Sequence, residues 1–242
     1  MVGKSQIKLI KSLQQKKCRN QQKLFVVEGK KTVEELLASK VELHKIFSTE
    51  ENFAAQLGEI CKLVDGNEMK QMSSLKNPSS VLGVFKIPDN KIVEVKDWVV
   101  VLDDVRDPGN LGTIIRLCDW FGIKNLFCSL TTVDCYNPKV LQATMGSISR
   151  MNIVYTDLKH FLEDTELPIY GAFMDGNVIY KEKIPEKGVL VMGNEANGVS
   201  KEIEMLCSNK ISIPQFGDKT TESLNVATAT SILLNEIRRS VF

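Results

Sequence analysis

The 242-residue chain is long enough for two domains, and its 43% hydrophobic and 25% charged residues are typical of an ordinary globular protein. No apolar run approaches the ~20 residues of a membrane-spanning helix, and the N-terminus lacks the apolar core of a signal peptide. The six cysteines include no C-x-x-C pair, so we expect reduced thiols and neither disulfides nor a metal site. These features predict a cytoplasmic protein without membrane association.

Positive charge is concentrated at the N-terminus, because residues 1–31 contain nine lysines and arginines and a single acid, Glu28. Such a segment is typical of a surface that meets a polyanion. Ordinary amphipathic helices are often basic as well, and charge alone leaves both interpretations open. Ile7, Ile10 and Leu13 recur on one helical face. This stripe predicts a helix that docks on the protein and presents its lysines outward.

The chain reads as two α/β domains. Residues 1–90 alternate short apolar strands with helical patterns and predict a small α/β domain, followed by a polar linker at 91–97. Residues 98–242 repeat this rhythm more strongly, and their first strand, WVVVLDDV, is continuously apolar, as expected of a parallel strand buried on both faces. The second domain is therefore predicted to contain a mostly parallel sheet with helices on both faces.

The first of three polar segments at strand ends is RDPGNLG, which follows WVVVLDDV and opens a helix predicted over 111–122. Ligands of open parallel sheets bind at this edge. Asn110 is a suitable N-cap for the helix, and Arg116 falls opposite its apolar face, where periodicity alone leaves it in solvent. Trp120 lies close to Arg116's side, and a surface helix seldom exposes such a residue. We therefore predict that a partner subunit covers this face.

The second and third segments are GNEANG at 193–198 and IPQFGDKTTESLNV at 213–226. Each also fits a plain strand–turn–helix junction, in which Glu195 is solvated. A terminal helix is predicted to begin at Ser223, and serine at a helix start is usually only a cap. The free N–H groups of the same helix start would equally suit a phosphate or a carboxylate.

In this order and at these spacings, the segments resemble the motifs of the SpoU family, the RNA ribose 2'-O-methyltransferases of the SPOUT (trefoil-knot) superfamily. The matches are N-x-x-x-x-x-R from Asn110 to Arg116, G-x-E-x-x-G at 193–198, and I-P with S-L-N-V at 213–226. Residues 10–37 resemble that family's N-terminal RNA substrate-binding domain, an L30e-like α/β module. The resemblance implies a deep trefoil knot near 188–231, a homodimer, and methylation of ribosomal or transfer RNA.

The resemblance also implies residue roles. The methyl donor would be S-adenosyl-L-methionine, held mainly through backbone atoms at Met192, Gly193, Ile213, Leu224 and Val226. The catalytic set would be Arg116, Asn110, Glu195, Ser223 and Asn225, and the RNA contacts would be Lys16, Lys17, Arg19 and Lys30. The family account often treats the motif arginine as a base. Because arginine stays protonated in proteins, we expect Arg116 to position phosphate and ribose and to stabilise the developing oxyanion.

Two alternatives come from other functional classes. A Rossmann-type nucleotide oxidoreductase would need a glycine triplet that RDPGNLG lacks. A non-catalytic RNA-binding or assembly protein could keep the fold after losing activity, although the intact motif residues argue against such decay. The chain departs from the family at Cys18, where tyrosine is frequent, so we do not expect this position to stack on a base. Lys219–Thr221 resembles an insertion in the loop before Ser223.

Overall fold

The computed structural model describes residues 2–89, 95–217 and 223–239. These residues form two compact units. The first contains the described residues up to Asp89 together with Asp134–Ser149, and the second contains the remaining described residues.

The secondary structure alternates strands and helices along most of the chain. The strands are β1 (Leu24–Glu28), β2 (Leu43–Ser48), β3 (Cys61–Leu63), β4 (Val81–Lys86), β5 (Val99–Leu102), β6 (Asn125–Cys128), β7 (Asn152–Tyr155), β8 (Ile169–Val178), β9 (Val189–Met192) and β10 (Asn209–Ser212). The α-helices are α1 (Lys4–Ser12), α2 (Lys16–Gln22), α3 (Lys30–Leu37), α4 (Glu51–Leu57), α5 (Gly66–Met72), α6 (Pro108–Trp120), α7 (Pro138–Thr144), α8 (Leu158–Glu163), α9 (Lys201–Glu204) and α10 (Val226–Arg239). Short 3-10 helices lie at Gly58–Ile60, Ser147–Arg150 and Ile179–Lys181.

The first unit is built on a four-stranded sheet in the order β1-β4-β2-β3, in which only β2 and β3 run parallel. Helix α1 contributes Ile10 to the core, and Leu13 follows directly after the helix; both are buried. Ile7 packs against the same cluster, whereas Lys8 and Lys11 are exposed. The predicted docking of this apolar stripe, with its lysines outward, is therefore confirmed.

Arg19, which was predicted to contact RNA, is instead buried, with 2% of its surface exposed. Its guanidinium donates to the carbonyl oxygens of Leu13 at 2.9 Å and Gln14 at 2.8 Å. It also forms an ion pair with the carboxylate of Asp134. A guanidinium whose donors are occupied inside the protein is not available to phosphate, so the structure corrects this assignment. Arg19 is a structural cross-link.

The segment Asp134–Ser149 follows β6 in the chain and yet belongs to the first unit. The ring of Tyr136 lies 4.7 Å from that of Phe25, and α7 packs against β1. The compact unit is therefore discontinuous in sequence, whereas the predicted domains, 1–90 and 98–242, are continuous. Those boundaries stay a prediction, and residues 91–94 of the predicted linker lie outside the described part of the chain.

The second unit contains a six-stranded sheet in the order β10-β8-β9-β5-β6-β7, and every adjacent pair runs parallel. On the central strand β5, Val99 and Val101 pack in a core cluster with residues of α8 and α9. The alternate residues Val100 and Leu102 point to the opposite face and are equally buried. Burial on both faces explains the continuously apolar sequence, and the predicted parallel sheet is confirmed.

Two helix starts differ from the sequence prediction. Helix α6 begins at Pro108, and its N-cap is Asp107, whose carboxylate accepts the N–H of Asn110 at 2.8 Å. Proline suits the first helical position because the N–H it lacks has no partner there. Helix α10 begins at Val226, three residues after the predicted start at Ser223. In both cases the predicted residue lies within one turn of the true cap.

The far end of α10 is anchored by Arg238. Its guanidinium donates to the carbonyl oxygen of Phe121 at 2.7 Å and pairs with Asp97 at 2.7 Å. Burial is the largest single effect and opposes ionisation of Asp97, but the hydrogen bonds from Arg238 and from the backbone N–H of Trp98, together with the Arg238 charge, lower the pKa of the carboxyl. Helix α10 also packs against α6. These contacts fix the helix whose N-terminal end reaches the polar segments.

Among the described residues, no helix is long and apolar enough to cross a membrane. The trefoil knot near 188–231 stays a prediction, and residues 218–222 of that region lie outside the described part of the chain.

Replacing Arg19 with methionine should lower the free energy of unfolding by about 3 kcal/mol, because it leaves Asp134 without its cation and two carbonyls without their donor. Urea unfolding followed by circular dichroism measures this loss. Lys17→Met is the matched control, since Lys17 is exposed on the same helix and should change the stability by no more than about 0.5 kcal/mol. Equal stabilities of the two variants would contradict the assignment of Arg19 as a structural residue.

Candidate active site

The three polar segments follow the carboxyl ends of β5, β9 and β10. Because the strands run parallel, these ends lie along one edge of the sheet, where ligands of α/β proteins bind. The loops concerned are 103–107, 193–200 and the chain from Ile213 onward, of which 218–222 lie outside the described residues. The sheet topology thus brings distant parts of the sequence to one place.

Residues 193–198 form a tight turn, closed by two backbone hydrogen bonds of 2.9 Å between Asn194 and Gly198. Gly198 has a φ of 69°, in the left-handed region that favours glycine. Gly193 has no room for a side chain, because a Cβ there would lie 2.2 Å from the carbonyl carbon of Gly198. Backbone geometry therefore requires both glycines of G-x-E-x-x-G, and the turn carries Glu195 with its side chain exposed.

Two consecutive acids after β5 fasten this turn to the loop that precedes α6. Asp103 is buried, and its carboxylate accepts the N–H of Ser200 at 2.8 Å. Asp104 has a left-handed backbone with a φ of 59°, and its carbonyl oxygen accepts a hydrogen bond from Nδ2 of Asn194 at 2.7 Å. Each of these hydrogen bonds joins a side chain to a backbone group, so each fixes the position of the backbone.

One chain of hydrogen bonds joins a residue from each polar segment. Asn110 donates from Nδ2 to Oε1 of Glu195 at 3.0 Å, and its Oδ1 accepts from Nδ2 of Asn225 at 2.9 Å. Oδ1 of Asn225 then accepts the N–H groups of Ala227 at 3.0 Å and Thr228 at 3.2 Å. Asn225 is therefore the N-cap of α10, and the structure brings together three of the five predicted catalytic residues.

The direction of this chain is fixed by its two ends. An ionised Glu195 can only accept hydrogen bonds, and the helix N–H groups that meet Asn225 can only donate them. Each amide between these ends must therefore turn its nitrogen toward Glu195 and its oxygen toward α10. Asn110 and Asn225 each keep one N–H of the side chain free of this chain, and both residues are partly or fully exposed. These N–H groups are donors that a ligand can use.

Arg116 lies on the exposed side of α6 and makes no hydrogen bond or ion pair with any described residue. Its five N–H donors are therefore open to an anionic ligand. Trp120 follows one turn later on the same side of the helix and is 84% exposed in the single chain. An exposed guanidinium and an exposed indole thus share one surface.

Three polar residues of the site were not predicted from the sequence. Asp104 forms an ion pair with Arg106 at 2.9 Å, and this hydrogen-bonded pairing lowers the pKa of the Asp104 carboxyl. The backbone N–H of Arg106 points at Oε2 of Glu195 at a long 3.5 Å. Asn194 is the third. In the sequence, only the two acids after β5 could have indicated a polar site here. They fit equally well a buried strand that simply ends in acidic residues.

The remaining predicted site residues are dispersed around the edge. Met192 and Val226 are buried, Gly193 and Ile213 are half-buried, and Leu224 is 46% exposed. Ser223 is exposed, and its side chain makes no hydrogen bond to another described residue. The structure therefore does not bring Ser223 into the chain formed by Asn110, Glu195 and Asn225.

The predicted RNA-binding lysines belong to the first unit. Lys16 and Lys17 are exposed in the first turn of α2. Lys30 is exposed as well, but it pairs with Glu50 at 2.7 Å and lies 5.1 Å from the ring centre of Phe53. An anion must compete with Glu50 for Lys30.

Two substitutions of Asn225 distinguish its role as the N-cap of α10 from its role as the hydrogen-bond donor to Asn110. Asn225→Ala removes the cap of α10 and should lower the free energy of unfolding by about 1 kcal/mol. Asn225→Asp keeps a capping oxygen with a charge that suits a helix N-terminus, but it loses the donor and sets a carboxylate against Oδ1 of Asn110; a smaller loss is expected. Guanidinium unfolding of both variants measures the difference, and an aspartate variant less stable than the alanine variant would contradict the capping role.

Two family profiles match the sequence. The SpoU rRNA Methylase family matches residues 97–235, more than half of the chain, and the MRM3-like substrate binding domain matches residues 4–83. One curated relative is the 23S rRNA (guanosine(2553)-2'-O)-methyltransferase of Bacillus subtilis (strain 168), 29% identical over 94% of each chain.

Solved structures agree with these matches. A TrmH-family protein from Porphyromonas gingivalis is 33% identical, with a TM-score of 0.87 over 99% of each chain. An AdoMet-bound rRNA methyltransferase from Sinorhizobium meliloti is 28% identical, with a TM-score of 0.88 over 100% of this chain and 97% of that one. The motif residues that converge on Glu195 and the matched profile together make this chain a member of the SpoU rRNA methylase family.

Proposed function

We propose that the protein transfers a methyl group from S-adenosyl-L-methionine to a ribose 2'-hydroxyl of ribosomal or transfer RNA. The observation that carries this proposal is the hydrogen-bond chain from Glu195 through Asn110 to Asn225. It joins one residue of each family motif in a single site, and α6, which contributes Asn110, also carries Arg116, whose guanidinium pairs with no described residue. The function of the Bacillus subtilis relative, a 23S rRNA 2'-O-methyltransferase that aligns with 94% of this chain, supports the proposal.

The edge of the sheet fits the methyl donor. S-adenosyl-L-methionine carries no phosphate, and the loop after β5 has no phosphate-binding glycine triplet. The chain offers the tight turn at Gly193 and the half-buried or exposed apolar side chains of Ile213 and Leu224, with buried Met192 and Val226 beside them in sequence. We assign the cofactor to these five residues, whose backbone groups would hold it. When bound, it supplies an electrophilic methyl group.

Arg116 acts on the RNA side of the reaction. A ribose hydroxyl is a weak nucleophile, and its oxygen gains negative charge as its proton leaves. Arg116 cannot take that proton, because a guanidinium stays protonated in proteins. Its open donors instead bind the substrate phosphate and stabilise the developing charge on the oxygen.

Glu195 and the two asparagines orient the substrate. The carboxylate of Glu195 accepts the side-chain N–H of Asn110 and so fixes the direction of both amides. The remaining N–H donors of Asn110 and Asn225 are then directed at ribose and phosphate oxygens. Ser223 contributes a hydroxyl near the start of α10. Glu195 is the carboxylate of this hydrogen-bond chain and therefore the conventional side-chain candidate for the base that takes the proton.

The first unit binds the RNA outside the target nucleotide. Its exposed lysines, Lys16 and Lys17, attract the phosphate backbone without reading the base sequence. Lys30 joins them when a phosphate displaces Glu50. Arg19 supports this surface from inside, because it fastens the turn that precedes α2.

The two alternatives from other functional classes lose support. The family profile covers the region that a Rossmann oxidoreductase would need for its dinucleotide. A non-catalytic RNA-binding protein would need Asn225 as a helix cap but has no need of the hydrogen bond between Asn110 and Glu195. Isothermal titration with S-adenosyl-L-methionine separates the remaining possibilities, since a pure RNA binder has no need of the methyl donor.

We also propose that the protein is a cytoplasmic homodimer. Trp120, exposed on α6 next to the catalytic arginine, is the most conspicuous apolar group of that surface. A second copy that covers this surface would shield the indole and bring the partner close to Arg116. The site would then lie at the subunit interface.

Arg116→Ala should reduce methyl transfer by about 100-fold or more, the effect of removing a group that stabilises a developing oxyanion. The affinity for S-adenosyl-L-methionine should stay within about twofold, because the arginine faces the RNA. Incorporation of labelled methyl groups into rRNA and tRNA measures the first quantity, and calorimetry the second.

Two controls belong to this test. Arg116→Lys keeps the charge and loses the planar fork, so an intermediate rate is expected. Lys124→Ala removes an exposed cation elsewhere in the second unit and should leave the rate unchanged. A full rate for Arg116→Ala, or a loss of cofactor binding without loss of activity, would refute the assigned role.

Trp120→Arg should convert the dimer into a monomer, because each subunit then places a new cation in an interface that excludes water. Sedimentation velocity at micromolar concentration measures the mass. Met205→Arg is the matched control: Met205 is 79% exposed on a different element, and its variant should remain dimeric. A wild-type monomer would overturn the proposed assembly.

A further inference from the structure

We propose that Asn194 is a positioning residue for this reaction: it locks the turn that carries Glu195 onto the loop that leads to Asn110. The proposal rests on the proposed function, since the position matters for catalysis only if Glu195 does. The family motif G-x-E-x-x-G leaves this position open, so the inference comes from the contacts of this chain alone.

Asn194 uses both ends of its side-chain amide. Its Oδ1 accepts the backbone N–H groups of Ala196 at 2.9 Å and Asn197 at 3.1 Å, which shapes the turn from inside. Its Nδ2 donates to the carbonyl oxygen of Asp104 at 2.7 Å. One planar group therefore sets both the conformation of the turn and its attachment to the neighbouring loop.

The other contacts of the turn do not replace this attachment. The paired backbone hydrogen bonds between Asn194 and Gly198 close the turn but do not reach the loop after β5. Ser200 is tied to Asp103 beyond the far end of the turn. The backbone N–H groups of Arg106 and Asp107 approach Glu195 only at 3.5 Å and 3.4 Å. The hydrogen bond from Asn194 to the carbonyl oxygen of Asp104 is therefore the shortest contact that attaches the turn to the loop after β5.

The site requires an amide at this position. An aspartate at 194 would keep acceptors for the turn and lose the donor, and its charge would face the Asp104 carboxylate, whose Oδ2 lies 3.4 Å from Nδ2 of Asn194. Asp104 is already in a left-handed backbone conformation, so its carbonyl is presented to Asn194 by a strained residue. The arrangement favours a side chain that donates at one end and accepts at the other.

The consequence for catalysis passes through the next residue. Glu195 is exposed and belongs to no helix or strand, so its carboxylate position depends on how the turn is held. If the turn shifts, Glu195 no longer meets Asn110, and the Asn110 amide loses the acceptor that holds its nitrogen in place. Loosening Asn194 should therefore slow the chemical step more than it weakens RNA binding.

The test compares Asn194→Asp with Asn197→Asp in the full-length protein. Asn197 lies in the same turn, and its side chain makes no hydrogen bond to another described residue, so its variant adds the same charge without breaking the tether. Asn194→Ser is a second variant that keeps a short acceptor for the turn and cannot reach Asp104. Circular dichroism checks that each variant is folded.

The first readout needs no activity. The side-chain amide resonances of Asn110, observed by nuclear magnetic resonance, should shift in both Asn194 variants and stay in place in Asn197→Asp. Unmoved resonances, or equal shifts in the control, would overturn the proposal. This readout decides the question even if the wild-type protein methylates no RNA, an outcome by which the proposed function itself would fail.

The second readout is kinetic. Asn194→Asp and Asn194→Ser should lower kcat by about tenfold with the KM for RNA changed less than about twofold, and the same changes should have almost no effect in a Glu195→Ala background. A merely structural role would lower the rate by the same factor in both backgrounds. That result would overturn the proposal.

Discussion

The orientation of the Asn110 amide, between a carboxylate that can only accept and a helix end that can only donate, is the constraint on which the site depends. Because the first N–H groups of α10 orient Asn225, and Asn225 orients Asn110, the free side-chain N–H groups of both asparagines have defined positions at the sheet edge. Arg238 at the other end of α10, and the two acids after β5, serve this arrangement because they hold the elements that carry its members.

Much of the fold could be predicted because its signals are local. Strand β5 is enclosed on both faces, and such enclosure leaves an uninterrupted apolar run in the sequence. The helix starts were misplaced by a few residues for an equally physical reason. Asp107 and Asn110, or Ser223 and Asn225, are all good capping residues within one turn, and only the backbone path decides which of them caps.

The residues of the candidate site likewise fall into those that a local sequence pattern indicates and those that it does not. Asn110, Glu195 and Asn225 were found because their spacings resemble family motifs, not because any periodicity assigns them a function. Arg19 and Asn194 could not be interpreted in this way. The partner of Arg19 lies 115 residues away, and that of Asn194 lies 90 residues away, so no short pattern records either contact. A basic residue in a basic helix looks like a surface residue until its partner is seen.

The interrupted first unit has a consequence for how the protein is made. Its core is completed by residues 134–149, which are synthesised after β5, α6 and β6 of the second unit. The N-terminal segment therefore cannot reach its final packing as it leaves the ribosome. The buried Arg19 meets its partner Asp134 only after 115 further residues have been synthesised, so this unit does not follow the usual N-terminal-first order of domain folding.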